Sequence, residues 1–198
     1  CKTIGCFARV TDVASKTDDE LAALREAGYT GLTIGIETGD DAALAFMNKG
    51  YAAQDIIAQC ARLDAADIAY AFFYLAGISG KGRGIEGARL TTAACNQTRP
   101  SLIGANMLTI YKNSELYQEI LAGNWEEETE IEKYQEIKAL VKNLEIPVEF
   151  AMLGASNPVM LQGRLPEQRG QLLAALESII NDIGEYRLRS YRTNLRHL

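Results

Sequence analysis

Histidine is almost missing from this chain: His197 is the only one in 198 residues, Trp125 is the only tryptophan, and the four cysteines include no CxxC pair. A zinc site of the usual Cys/His kind therefore lacks a ligand set, and schemes of acid–base catalysis built on histidine have no candidate outside the tail. Cys1 and Cys6 stand five residues apart, which is not a cluster spacing, and a four-iron cluster would need a third thiolate nearby. Cys60 and Cys95 read as reduced, buried thiols, the ordinary state of free cysteine in a cytosolic protein. Apolar runs fall short of the roughly 18 to 20 residues needed to cross a bilayer, and the start lacks the charged-then-apolar order of a signal peptide. A cytoplasmic protein without a membrane partner is expected. Positive charge is in deficit as well, with 20 Lys and Arg against 26 Asp and Glu and a net charge of -6. That balance provides no global basic field for nucleic acid. The chain opens on Cys1 rather than Met, which reads as processing or excision.

What is present suits one compact unit. At 47% apolar content, 198 residues can bury one substantial core, so residues 1–198 are expected to form a single domain. Thr17-Asp-Asp-Glu20 is a capping box that opens a helix to Ala27, and Gly28 follows as its C-terminal stop. Leu32 to Glu37 then reads as a strand. The unit recurs: Ile56, Ile57, Cys60 and Leu63 share a helical face, and Ile68 to Leu75 is an apolar run suited to a strand covered on both sides. A helix between Ile85 and Asn96, a strand from Leu102 to Ile110 and a short helix ending at Gly123 follow. Thr129 to Glu132 caps a helix to about Leu144, Val148 to Leu153 reads as a strand, and Leu172, Leu176, Ile179 and Ile183 stripe a last long helix after Pro166. Such alternation predicts an α/β fold with parallel strands and outer helices. The acidic run Glu126, Glu127, Glu128 and Glu130 reads as a solvated face at the positive end of a helix dipole. Arg187, Arg189, Arg192 and Arg196, interleaved with Tyr186 and Tyr191, read as surface packing of a terminal helix.

Ligands of parallel α/β folds sit beyond the carboxyl ends of the strands, which singles out three places. Glu37, followed by Thr38, Gly39, Asp40 and Asp41, can accept hydrogen bonds from a ribose diol, and Glu37 or Asp40 can equally cap the next helix. Gly77, Ile78, Ser79 and Gly80 open a stretch with four glycines in eight residues, ending at Gly84, where backbone can approach a ligand. It lacks the GK[ST] closure of a P-loop; Lys81 and Arg83 could meet phosphate, or the stretch could be a plain connection. Arg9, at the end of the first strand, can pair with a ligand carboxylate, with Glu37 or with Asp12. Asn106 and Tyr111 lie near strand ends and could line the same cavity.

In order along the chain, Ala8-Arg-Val10, GIETGDDAALAFMNKGY at 35–51, Leu75-Ala-Gly-Ile-Ser-Gly80 and Tyr191 to Leu198 resemble segments of the radical S-adenosylmethionine (SAM) Fe–S oxidoreductases. The resemblance spans nearly the whole chain and implies a partial TIM-type (β/α) barrel. It further implies that Glu37, with Thr38 and Gly39 beside it, contacts the cofactor ribose, while Gly77, Ile78 and Gly80 lie against the adenine or methionine part and Arg9 belongs to the same cofactor site. That family's CxxxCxxC triplet and its glycine-rich motif after the second strand are missing here, as expected of the C-terminal part of the barrel beginning at about strand three. On this reading the full-length protein carries SAM and a 4Fe–4S cluster, while the fragment is inactive alone. The retained first strand would offer an open edge, so a homodimer through that edge, or cover by the chain's own terminal segment, is expected. Two other readings remain: a non-catalytic α/β module binding a nucleotide or a protein, and a phosphate-binding barrel enzyme using Gly77 to Gly84.

Overall fold

The computed structural model describes residues 4–194. The chain begins with β1 (Ile4–Arg9), α1 (Val10–Ala14), α2 (Asp18–Glu26) and β2 (Tyr29–Glu37). It continues through α3 (Asp41–Phe46), α4 (Ala53–Ala65), β3 (Ala69–Ala76), α5 (Gly84–Cys95) and β4 (Leu102–Met107). The last third holds α6 (Glu115–Leu121), α7 (Glu130–Asn143), β5 (Val148–Met152), β6 (Leu161–Leu165), α8 (Arg169–Ser178), a π-helical turn (Ile179–Ile183) and α9 (Glu185–Thr193). Two helix starts follow the expected chemistry. The Thr17 hydroxyl accepts from the Glu20 amide at 3.1 Å while the Thr17 amide donates to Glu20 at 2.8 Å, and Thr129 and Glu132 repeat the exchange.

Six strands lie side by side in chain order, β1 to β5 mutually parallel. β6 was not anticipated; it pairs antiparallel to β5, as a short return strand can without a helical crossover. Successive parallel strands joined by right-handed crossovers put their helices on one face, the arrangement of a partial (β/α) barrel. Burial follows that geometry. Leu32, Ile34 and Ile36 of β2, Tyr70, Phe72, Tyr74 and Ala76 of β3, and Ile103 and Ala105 of β4 are buried in one core with Ile56 and Leu63 of α4 and Ile137 and Leu140 of α7. Their neighbours along each strand, Thr33, Gly35, Phe73 and Asn106 among them, are half-buried and lie on the opposite face, which the helices do not cover. Among the described residues β1 pairs only with β2, and Phe7 is 78% exposed on it.

Candidate functional site

The end of β2 departs from regular strand geometry at one residue. Glu37 has φ 58°, left-handed and rare for a side chain of its kind, and the pairing with β3 skips there, so that Gly35 faces Phe73 but Glu37 faces Tyr74. The inversion folds Glu37 back toward Gly35: a Cβ added to Gly35 would lie 3.1 Å from Glu37 Oε1, so the glycine makes the room. Lys49 Nζ donates to Glu37 Oε1 at 3.3 Å, and both side chains stay partly open to solvent. Tyr51 secures the kinked backbone, its hydroxyl donating to the carbonyls of Ile36 at 3.0 Å and Gly35 at 3.3 Å. Burial, and then the charge of Glu37, raise the Tyr51 hydroxyl well above its ordinary value, so it stays a donor. Lys49 and Tyr51 had no assigned role in the sequence reading; Asn48 and Gly50, which bend the chain toward β2 with φ of 51° and 76°, were the available signal.

Thr38, Gly39 and Asp40 knit the following turn to α5 and α3. Thr91 donates its hydroxyl to Gly87 O at 2.7 Å, so in its 3.1 Å bond with Thr38 the latter is the donor. Gly39 N–H donates to Thr91 Oγ1 at 2.7 Å, and a Cβ on Gly39 would come within 2.7 Å of Thr91 Cα. Asp40 caps α3 by accepting from Ala42 N–H at 3.0 Å, and it also accepts from Arg83 at 2.8 Å.

At the end of β3, Gly77 and Gly80 hold φ of 92° and 80°. The space beside them is taken by the protein itself: a Cβ would lie 3.0 Å from Lys133 Cε at Gly77 and 2.8 Å from Trp125 Nε1 at Gly80. Lys81 pairs with Glu126, and Arg83 with Asp40, so both cations of the loop are matched by carboxylates. Ile78 and Gly80, together with Phe46, Arg83 and Trp125, line a cavity of about 340 Å³ between this loop and α3. Arg9 stands beside Gly35 in the β1–β2 register and pairs with Asp12 at 2.9 Å, one of its three expected partners. Asn106 turns toward Gly154 and Asn157, while Tyr111 is exposed beyond β4.

Of the acidic run only Glu126 is solvated. Glu128 and Glu130 are buried, and Glu127 nearly so, with cations from two helices enclosing Glu127 and Glu130. Lys133 of α7 binds Glu127 at 2.7 Å and Glu130 at 3.5 Å, and Arg192 of α9 binds the same pair at 2.5 and 2.6 Å. Burial would raise the Glu127 carboxyl, but Arg189, Lys133 and Arg192 outweigh it and bring the value down to about 2. Arg189 and Arg192 thus clamp α9 onto the start of α7 instead of lying free on a surface, and Arg192 also donates to Leu108 O at 3.1 Å. Arg196 and His197, like Cys1, lie outside the described residues.

Among the described residues no three His, Cys, Asp or Glu side chains converge as a metal site, and no helix is long and apolar enough to cross a membrane. No family model matches the sequence, and no curated protein matches it. Among solved structures it is similar to the archaeal Elp3 of Methanocaldococcus infernus with N-terminus deletion (1-46), at 15% identity and a TM-score of 0.67. That superposition covers 90% of this chain and 42% of the Elp3 chain, so this chain spans less than half of it. The likeness shows that the two share an α/β fold with a mostly parallel sheet and outer helices.

Proposed function

We propose that these 198 residues form the cofactor-binding wall of a radical SAM iron–sulfur oxidoreductase, with Glu37 as the acceptor for the ribose hydroxyls of SAM. The observation that carries this reading is the backbone inversion at Glu37, which brings a partly open carboxylate back over Gly35, beyond the end of a parallel strand. The radical SAM-like fold shared with Elp3 supports it. These residues fit SAM: Glu37 has acceptor capacity left after its one bond to Lys49, and Ile78 and Gly80 offer an apolar wall and backbone beside a cavity. Thr38, Gly39 and Gly77 hold the two turns in shape, and Arg9 stands opposite Gly35 on the neighbouring strand. When bound, SAM supplies hydrogen-atom abstraction chemistry; the chain's own part is to bind, orient and shield it.

The described residues do not fit a 4Fe–4S cluster, since Cys6 is exposed on β1, Cys60 of α4 and Cys95 of α5 are buried in the core, and no third ligand joins them. We therefore assign the cluster thiolates to sequence outside this chain, which makes it inactive alone. The buried free thiols suit a reducing, cytoplasmic setting. Titrating SAM into the isotope-labelled chain tests the wall directly: amide resonances of residues 35–38 and 77–80 are expected to shift, with binding at least tenfold weaker in Glu37→Ala. A charge-assisted hydrogen bond is worth about 1.5–3 kcal/mol, consistent with that loss. Shifts confined to other segments, or equal binding by the variant, would transfer support to a non-catalytic binding module.

A further inference from the structure

Behind the Gly77–Gly84 loop lies a buried carboxylate pair. Glu136 of α7 is fully buried; its Oε2 accepts the Gly77 N–H at 2.8 Å, and its Oε1 accepts the hydroxyl of Tyr74. Glu128, 2% exposed, packs its carboxylate against Gly84 and reaches Glu136 with its side chain. Its Oε2 is buried without a donor. Gly84 marks where the two converge, since a Cβ there would collide with Glu128 and lie 2.7 Å from Glu136 Oε2. The pair therefore bonds the loop at its first residue and packs against its last.

Two buried carboxylates this close repel each other unless a cation or a proton intervenes. The cation at hand, Lys133, is bonded to Glu127 and Glu130. The other ionisable groups facing the pair do not neutralise it. Tyr74 from β3 and Cys95 from α5 both have raised values, burial being the first cause, and remain neutral, while Glu132 adds negative charge. A proton on Glu128 would make its carboxyl a donor to Glu136, giving the ionised partner three donors: Tyr74 O–H, Gly77 N–H and Glu128 O–H.

We infer that Glu128 and Glu136 hold one proton between them and that this protonated pair is a latch fastening the Gly77–Gly84 loop to α7. They are positioning residues. Only the identity of the ligand beyond the loop rests on the SAM reading. Loss of the proton sets two buried charges against each other and releases the loop, so ligand binding at the loop weakens as pH rises.

Carboxyl-carbon NMR on the glutamate-labelled full chain tests the latch without any variant: at least one glutamate is expected to titrate well above pH 6. Amide hydrogen exchange at Gly77 and Gly84, corrected for intrinsic base catalysis, is expected to show the opening equilibrium rising about tenfold per pH unit below that titration and levelling off through it, as release of one proton on opening requires. Glu128→Gln keeps a donor toward Glu136 and removes the titration, so its opening should be flat with pH. If every glutamate finishes titrating below pH 6, or if Glu128→Gln keeps the wild-type slope, the latch is wrong. A latch that titrates in a chain to which SAM does not bind leaves the latch standing and removes the cofactor reading.

Discussion

Lys49 reaches back from the segment after α3 to place its ammonium 3.3 Å from the carboxylate of Glu37, the one residue of β2 with a left-handed backbone. The pair is partly exposed, so its direct worth to folding is at most about 1 kcal/mol. Its consequence is orientation of the carboxylate over Gly35. Lys49→Ala is expected to leave thermal stability nearly unchanged while weakening SAM binding about three- to tenfold, less than Glu37→Ala does. Calorimetric titration of both variants decides the order.

Gly39 has no room for a side chain, because a Cβ would meet the backbone of Thr91 at 2.7 Å. Backbone cannot swing aside as a side chain can, so Gly39→Ala should destabilise the chain by about 1–3 kcal/mol. Urea unfolding would show a lowered midpoint with an unchanged slope.

Two sets of carboxylates give the stability curve opposite slopes. Glu127 has a depressed value near 2, so its contribution is complete above the ordinary carboxylate range and is lost as pH falls toward 2. Glu128 is raised by burial and by Glu136 to about 9, so the folded chain holds a proton that the unfolded chain releases above about pH 4.5. Stability therefore falls by about 1.4 kcal/mol per pH unit for that proton between about 4.5 and 9. Denaturant titrations across this range are expected to show a decline that Glu128→Gln removes.

β1 leaves one edge unpaired among the described residues, and exposed Phe7 leans on Phe73 with ring centroids 6.2 Å apart. Open apolar edges recruit partners. Sedimentation of the 198-residue chain is expected to show concentration-dependent dimers, and Phe7→Lys should shift them to monomer. A wild-type chain that stays monomeric at high concentration contradicts this.

Much of the architecture was legible because its signals are local. Thr17 with Glu20, and Thr129 with Glu132, are neighbours in sequence and set their helices wherever the rest of the chain lies. The apolar run at β3 likewise announced a strand, although not one covered on both sides: burial alternates along it, and Phe73 lies on the face that the helices leave open. Glu37 stood out by its place at a strand end, although the inverted backbone that folds it over Gly35 has no sequence signature. The acidic run misled for the converse reason: its cations Arg189 and Arg192 come from about 60 residues away, and local charge density cannot reveal a distant clamp. β6 escaped notice because Leu161 to Leu165 is short and carries Gln162 and Arg164 on its exposed face.

The most direct test of the central claim uses the intact gene product, loaded with iron and sulfide, reduced, and assayed for 5′-deoxyadenosine released from SAM, with Glu37→Ala beside it. The account predicts release by the wild type and at least a tenfold loss in the variant. A correctly loaded, reduced protein that releases none, with or without candidate substrates, would contradict the radical SAM assignment, and equal release by the variant would contradict the ribose role of Glu37.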